Sequence, residues 1–140
     1  MTPRPILLAA TTTILIATVG GCAQQEIRSE ANASIRIDGQ DQGKTTDVIC
    51  NQQQSSWFID IRQVGASAKA IVDRAADKAT VETVDIRGFG GFTGSYWQGG
   101  NDTADASFRN QTFTINGTAS GVKNGSSAPA KAKFQIVARC

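Results

Sequence analysis

The stretch Lys131-Ala-Lys-Phe-Gln-Ile-Val-Ala138 alternates its side chains one by one: Ala132, Phe134, Ile136 and Ala138 fall on one face, Lys131, Lys133, Gln135 and Val137 on the other. A period of two is that of an extended strand, here with one side on a core and one in water. The same alternation runs upstream. Ile35 and Ile37 flank Arg36, Trp57, Ile59 and Ile61 oppose Phe58 and Asp60, and Val81, Thr83 and Asp85 oppose Glu82, Val84 and Ile86. Residues 92–97, 104–109 and 112–116 continue it. Between these segments stand turn formers: Asp38-Gly39, Gly88, Gly90-Gly91, Gln98-Gly-Gly-Asn-Asp102, Arg109-Asn110 and Asn124-Gly125. Short strands at such spacing predict an all-β domain, a small antiparallel β-sandwich or partly open barrel of about seven to eight strands. The alanine-rich segment Ala66–Ala79 fits two templates. Lys69 to Asp73 reads as a strand with a turn at Ala75 to Lys78, and the helical spacing of Ala68, Ile71, Val72 and Ala75 leaves a short helix as the alternative.

The N-terminus has a different grammar. Arg4 precedes an uncharged apolar run from Ile6 to Val19, which closes in Val19-Gly20-Gly21-Cys22. A basic residue, a short apolar run and small residues make a secretory signal peptide, and the run falls short of the roughly 20 apolar residues that span a bilayer. Small residues placed directly before a cysteine mark a lipoprotein signal. Residues 1–21 are therefore read as the signal, 22–33 as an acylated flexible tether and 34–140 as the β domain. Cys22 would carry a thioether-linked diacylglycerol, with two or three acyl chains each holding by about 0.8 kcal/mol per buried methylene. The expected location is the extracytoplasmic face of the cell membrane, anchored and not spanning.

Export also fixes the reading of the other cysteines. With Cys22 taken by lipid, Cys50 and Cys140 remain as a pair in an oxidising compartment and are expected to form one disulfide. The formal net charge of +2, from 14 basic and 12 acidic residues, leaves no electrostatic footprint for nucleic acid.

Histidine is absent, which removes the commonest general base and metal ligand. No Gly-x-Ser-x-Gly elbow occurs, and no penicillin-binding set accompanies the serines before Lys131. Asp38-Gly-Gln40-Asp-Gln42-Gly43 resembles a calcium loop, but Ile49 stands where a bidentate glutamate must close the sphere, so a turn is expected. Arg87-Gly88-Phe-Gly90-Gly91-Phe-Thr-Gly94 is followed by strand-like Ser95-Tyr96-Trp97 instead of a helix, which makes it a glycine-rich hairpin and not a phosphate loop. No metal or cofactor site is expected. Trp57, Phe92, Tyr96 and Trp97 are the candidate ligand-binding residues, because aromatic faces beside Gln98, Asn101 and Asp102 can stack on sugar or clasp an acyl chain. Asn-x-Ser/Thr at Asn32, Asn101, Asn110, Asn116 and Asn124 reads as turn and strand composition behind a bacterial signal.

Several passages together resemble the mycobacterial lipoprotein antigen family: Ile35-Arg-Ile-Asp38-Gly39-Gln-Asp41-Gln42, Val48-Ile-Cys50, Gly94-Ser-Tyr96 to Gly99-Gly100-Asn101, Phe113-Thr-Ile115-Asn-Gly117-Thr118-Ala119-Ser-Gly121-Val122, and Phe134-Gln-Ile136-Val-Ala-Arg-Cys140. The resemblance implies an acylated envelope protein whose lipid is sensed by host innate receptors, with roles in adhesion or envelope maintenance and no enzymatic activity. The family's long Thr/Ser-rich tether is replaced here by a short one nearly free of hydroxyls.

The function expected from the sequence is that of a non-enzymatic, lipid-anchored surface antigen or binding module, with the membrane as partner through Cys22 and host receptors or envelope lipids beyond it. The alternative is a small carrier of lipid or glycolipid, which requires an apolar cavity of a few hundred cubic ångströms. An envelope hydrolase would need two of Asp38, Asp60, Asp85 and Asp102 within about 10 Å of each other in one cleft.

Overall fold

The structure, a computed structural model, describes residues 30–140. The signal segment, Cys22 and most of the tether lie outside them. Every regular element described is a strand: β1 (Asn32–Ile37), β2 (Gln40–Thr45), β3 (Val48–Gln53), β4 (Ser56–Gln63), β5 (Ala66–Ala75), β6 (Lys78–Phe89), β7 (Phe92–Trp97), β8 (Ala104–Arg109), β9 (Thr112–Lys123) and β10 (Ala130–Arg139). They form one antiparallel sheet in the order β2-β1-β10-β9-β7-β6-β5-β4-β3, with β8 added to β9. The sheet curls into a nearly closed barrel, so of the two architectures expected the barrel is the one adopted.

Ten strands replace the seven to eight expected, and the excess lies between Gln40 and Gln53. β2 reads Gln-Asp-Gln-Gly-Lys-Thr and has no apolar residue for alternation to reveal, and β3 buries only Val48. Hydrogen bonding to β1 makes β2 a strand: the Asp38-Gly39 turn, with φ of 50° and 80°, folds Gln40 back onto Ile37. Asp38 also latches that turn to β10, its backbone N–H donating to Lys133 O (2.8 Å) and its Oδ1 accepting from Lys133 N (2.9 Å). A structural hairpin thus occupies the calcium-like segment. β1 begins at Asn32, two residues before the boundary drawn at 34, with Ala33 buried opposite Ala138.

Alternation assigns the inward faces correctly along most strands. Ala132, Phe134, Ile136 and Ala138 are buried, as are Ile35 and Ile37, Ile59 and Ile61, and Phe113 and Ile115. β5 is one continuous strand that turns at Ala76, with Ala68, Ala70 and Val72 inward, so the helical alternative is set aside. In β6 a bulge intervenes. Ile71 pairs with Thr83 but Val72 with Val81, which leaves Glu82 as the extra residue and turns both Val81 and Val84 into the core.

Two devices bend and close the barrel. β9 pairs with β10 along ten residues, while its other edge meets β8 over Thr112–Gly117 and β7 over Ser120–Lys123. At the second junction Gly94 faces Gly121, and a Cβ on Gly121 would run into the Thr93 and Gly94 backbone. Closure comes from Cys50 on β3, disulfide-bonded to Cys140 just past β10. Beside it Trp57, Phe108 and Phe113 pack with ring centroids 4.4 to 5.9 Å apart, and the Arg74 guanidinium lies 4.0 Å above Phe108. At the open seam, Thr45 Oγ1 donates to Arg62 O (2.8 Å), Arg62 N to Asp47 O (2.9 Å) and Gln63 Nε2 to Gln42 O (3.2 Å).

The bridge spans 90 residues, so replacing both Cys50 and Cys140 by serine is expected to lower unfolding free energy by about 4 to 5 kcal/mol on the chain-entropy estimate, read by urea titration. Non-reducing peptide mapping should return the joined pair, and two free thiols would refute this closure. Gly121→Ala, which overpacks the β7–β9 junction, is expected to cost about 1 to 3 kcal/mol in the same titration.

Candidate functional site

Polar chemistry concentrates on the outer face of β7, β9 and β10. The registers align Ser95 with Ser120, and Ser120 with Lys131, so three polar side chains form a row across three strands. The β7–β8 connection arches over this row. β7 ends at Trp97, a turn closes with Gly100 N donating to Trp97 O (3.2 Å), and the chain descends through Asn101 and Asp102. Asp102 Oδ2 accepts from Ser120 Oγ at 2.6 Å, and its Oδ1 faces Lys131 Nζ at 3.1 Å. The Asp102 side chain is only 11% exposed.

The hydrogen bond from Ser120, and secondarily that from Lys131, holds the Asp102 carboxyl below the usual carboxylate range, with partial burial opposing them. Asp102 therefore clamps the loop to two strands as a carboxylate whose charge Lys131 offsets. Above it the Trp97 indole rests its Nε1–Cδ1 edge against Gly100, where any Cβ would collide with it. The rest of the ring is bare: Trp97 is 65% exposed. Ser95, Trp97, Gly100, Asn101, Asp102 and Ser120 together line a cleft of about 200 Å³.

The four aromatics singled out by the sequence do not converge. Phe92 and Tyr96 occupy inward positions of β7, 1% and 7% exposed, and fill the core. Trp57 belongs to the cluster near the disulfide. Only Trp97, whose parity on β7 is opposite to that of Tyr96, faces out. Ser120 and Lys131, which complete the site, escaped sequence reasoning because they lie 18 and 29 positions from Asp102 in the chain. No local pattern marks them. The acids expected of a hydrolase are also dispersed. Asp102, Asp85 and Asp38 line three different clefts, each the lone carboxylate there, and Asp60 Oδ2 pairs with Arg62 at 3.0 Å. Among the described residues no three metal-donor side chains gather.

Comparison with known proteins adds the relatives. The model of a family described as Mycobacterium 19 kDa lipoprotein antigen matches residues 26–140. The chain is 38% identical to a protein of Mycobacterium indicus pranii named "Putative lipoprotein", over 95% of this chain and 96% of that one. It is 34% identical to a protein of the same name from Mycobacterium avium subsp. hominissuis, over 99% and 94%. With "Probable lipoprotein LppE" of Mycobacterium tuberculosis it shares 29% identity over the full length of both chains.

Asp102 gives a signed pH prediction. Because its folded carboxyl titrates below the unfolded value, its stabilisation is full above about pH 4 and is lost as pH falls through the lowered value. Wild type should be more stable than Asp102→Asn at pH 7, and the gap should narrow below pH about 4 in urea titrations across the range. A gap independent of pH would contradict the clamp.

Proposed function

The chain belongs to the Mycobacterium 19 kDa lipoprotein antigen family, and we propose that it is a non-enzymatic lipoprotein of the cell envelope, acylated at Cys22 and displaying its barrel at the extracytoplasmic face as a binding module. The observation that carries this reading is the order of parts: Gly20-Gly21-Cys22 closes an apolar signal segment, the family match begins at residue 26, and the first strand of the barrel begins ten residues after Cys22, at Asn32. A linker so short sets the barrel close to the bilayer.

The chemistry of the domain supports binding over catalysis. There is no histidine to act as a base, and Asp38, Asp85 and Asp102 stand alone in separate clefts. The barrel interior is occupied by side chains from all round the sheet, among them Ile35, Ile59, Val84, Phe113 and Ile136. A lipid carried inside would have to displace them, which favours recognition on the outer face. Envelope components and host receptors are the partners within reach of such a surface.

Cys22→Ser is expected to shift the protein from the detergent-extracted membrane fraction to a soluble or unprocessed form. Mass analysis of the wild-type N-terminus should show a diacylglyceryl adduct on Cys22. Membrane retention unchanged in the variant would overturn the proposed anchor.

A further inference from the structure

We propose that the Trp97–Asp102 cleft is a binding site for a neutral glycan chain, with one sugar ring on the Trp97 indole and the chain continuing along the outer face of β9. The proposal names the partner of the binding module proposed above, and it rests on four features of the site.

First, Trp97 is a large aromatic held in place without being covered. Gly100 leaves room for the indole edge, and the ring surface that remains in water costs hydration unless a ligand covers it. Sugar rings present apolar C–H faces suited to that surface, and their hydroxyls suit the polar groups around it. Second, the Asp102 carboxylate has acceptor capacity left. Its Oδ1 is buried against Lys131, so the spare lone-pair site is on Oδ2, which accepts from Ser120. Ser95 and Asn101 add further donors and acceptors to the cleft wall. Third, Lys131 offsets the charge of Asp102 in the Trp97 cleft, so the ring seated there meets no net charge, which fits a neutral sugar.

Fourth, the size and surroundings indicate a chain. At about 200 Å³ the cleft lies below the roughly 300 to 1,000 Å³ of sites that enclose a drug-sized ligand, so it takes a single ring. Its floor residue Ser120 is followed on the same face of β9 by Thr118, about 7 Å away along the strand. Thr118 belongs to a second, more open cleft of about 380 Å³, also lined by Arg36, Asn116, Lys133 and Gln135. There Gln135 Nε2 donates to Asn116 Oδ1 at 2.9 Å, a cross-strand amide pair that presents further hydrogen-bonding groups. The two clefts thus succeed one another along one strand.

The test uses the full-length protein in detergent, titrated with neutral hexose and pentose oligosaccharides of increasing length and with zwitterionic lipid vesicles, and read by NMR from the Trp97 indole resonance in the wild type and from the Asn101 and Gln135 side-chain amide resonances in every variant. Oligosaccharides should shift these resonances, and longer ones should bind more tightly than monosaccharides. Trp97→Ala should weaken binding about ten-fold or more, Trp97→Phe should recover part of it, and Asp102→Asn should weaken it with the disulfide intact. Cys22→Ser should bind unchanged, which separates failure of this site from failure of the anchor. A resonance moved by vesicles but by none of the oligosaccharides, or oligosaccharide binding that survives Trp97→Ala, would overturn the proposal.

Discussion

The antiparallel pairing of β9 with β10, ten residues long and without a break in register, is the constraint on which the rest of the molecule depends. It sets Ala119 against Ala132 and Ile115 against Ile136, so both strands send their apolar faces to one core. The same register sets Ser120 against Lys131 and Asn116 against Gln135 on the outer face. A slip of one residue would exchange the two faces, burying lysines and exposing Phe134 and Ile136. Core and candidate site are therefore two sides of one pairing.

Closure follows from what β9 does at its other edge. It serves β8 with its first half and β7 with its second, and Gly94 and Gly121 allow the backbones to meet where the partners change. That change of partner leaves room for the 98–103 loop to cross the outer face and bring Asp102 down onto Ser120. At the far side of the sheet, β3 has a strand partner on one side alone, and the Cys50–Cys140 bridge ties that edge to the end of β10. The Trp57–Phe108–Phe113 cluster packs the same region, so a covalent and an apolar tie act together.

Much of this was legible in the chain. Lys131–Ala138 announced β10, the face it buries and the face it leaves wet. Asp38-Gly39 and Gly90-Gly91 announced hairpins, and Cys50 and Cys140 were the expected pair. β2 was illegible because Gln40–Thr45 has no apolar residue, and its strand state comes from the β1 edge beside it. Val81 and Val84 seemed to point apart because strict alternation cannot foresee a bulge at Glu82. Among the candidate aromatics, Phe92 and Tyr96 proved to be core, since residues four positions apart on a strand share its face.

The sequence by itself determined the strand periods, the tight turns and the cysteine partner, because each is a property of residues close in the chain or of residue inventory. The tertiary structure decided the barrel closure, the strand status of β2 and the joining of Asp102 to Ser120 and Lys131. These depend on register and on which edges meet. They arise from hydrogen bonds and packing between residues far apart in the chain, and no short window of sequence contains both partners.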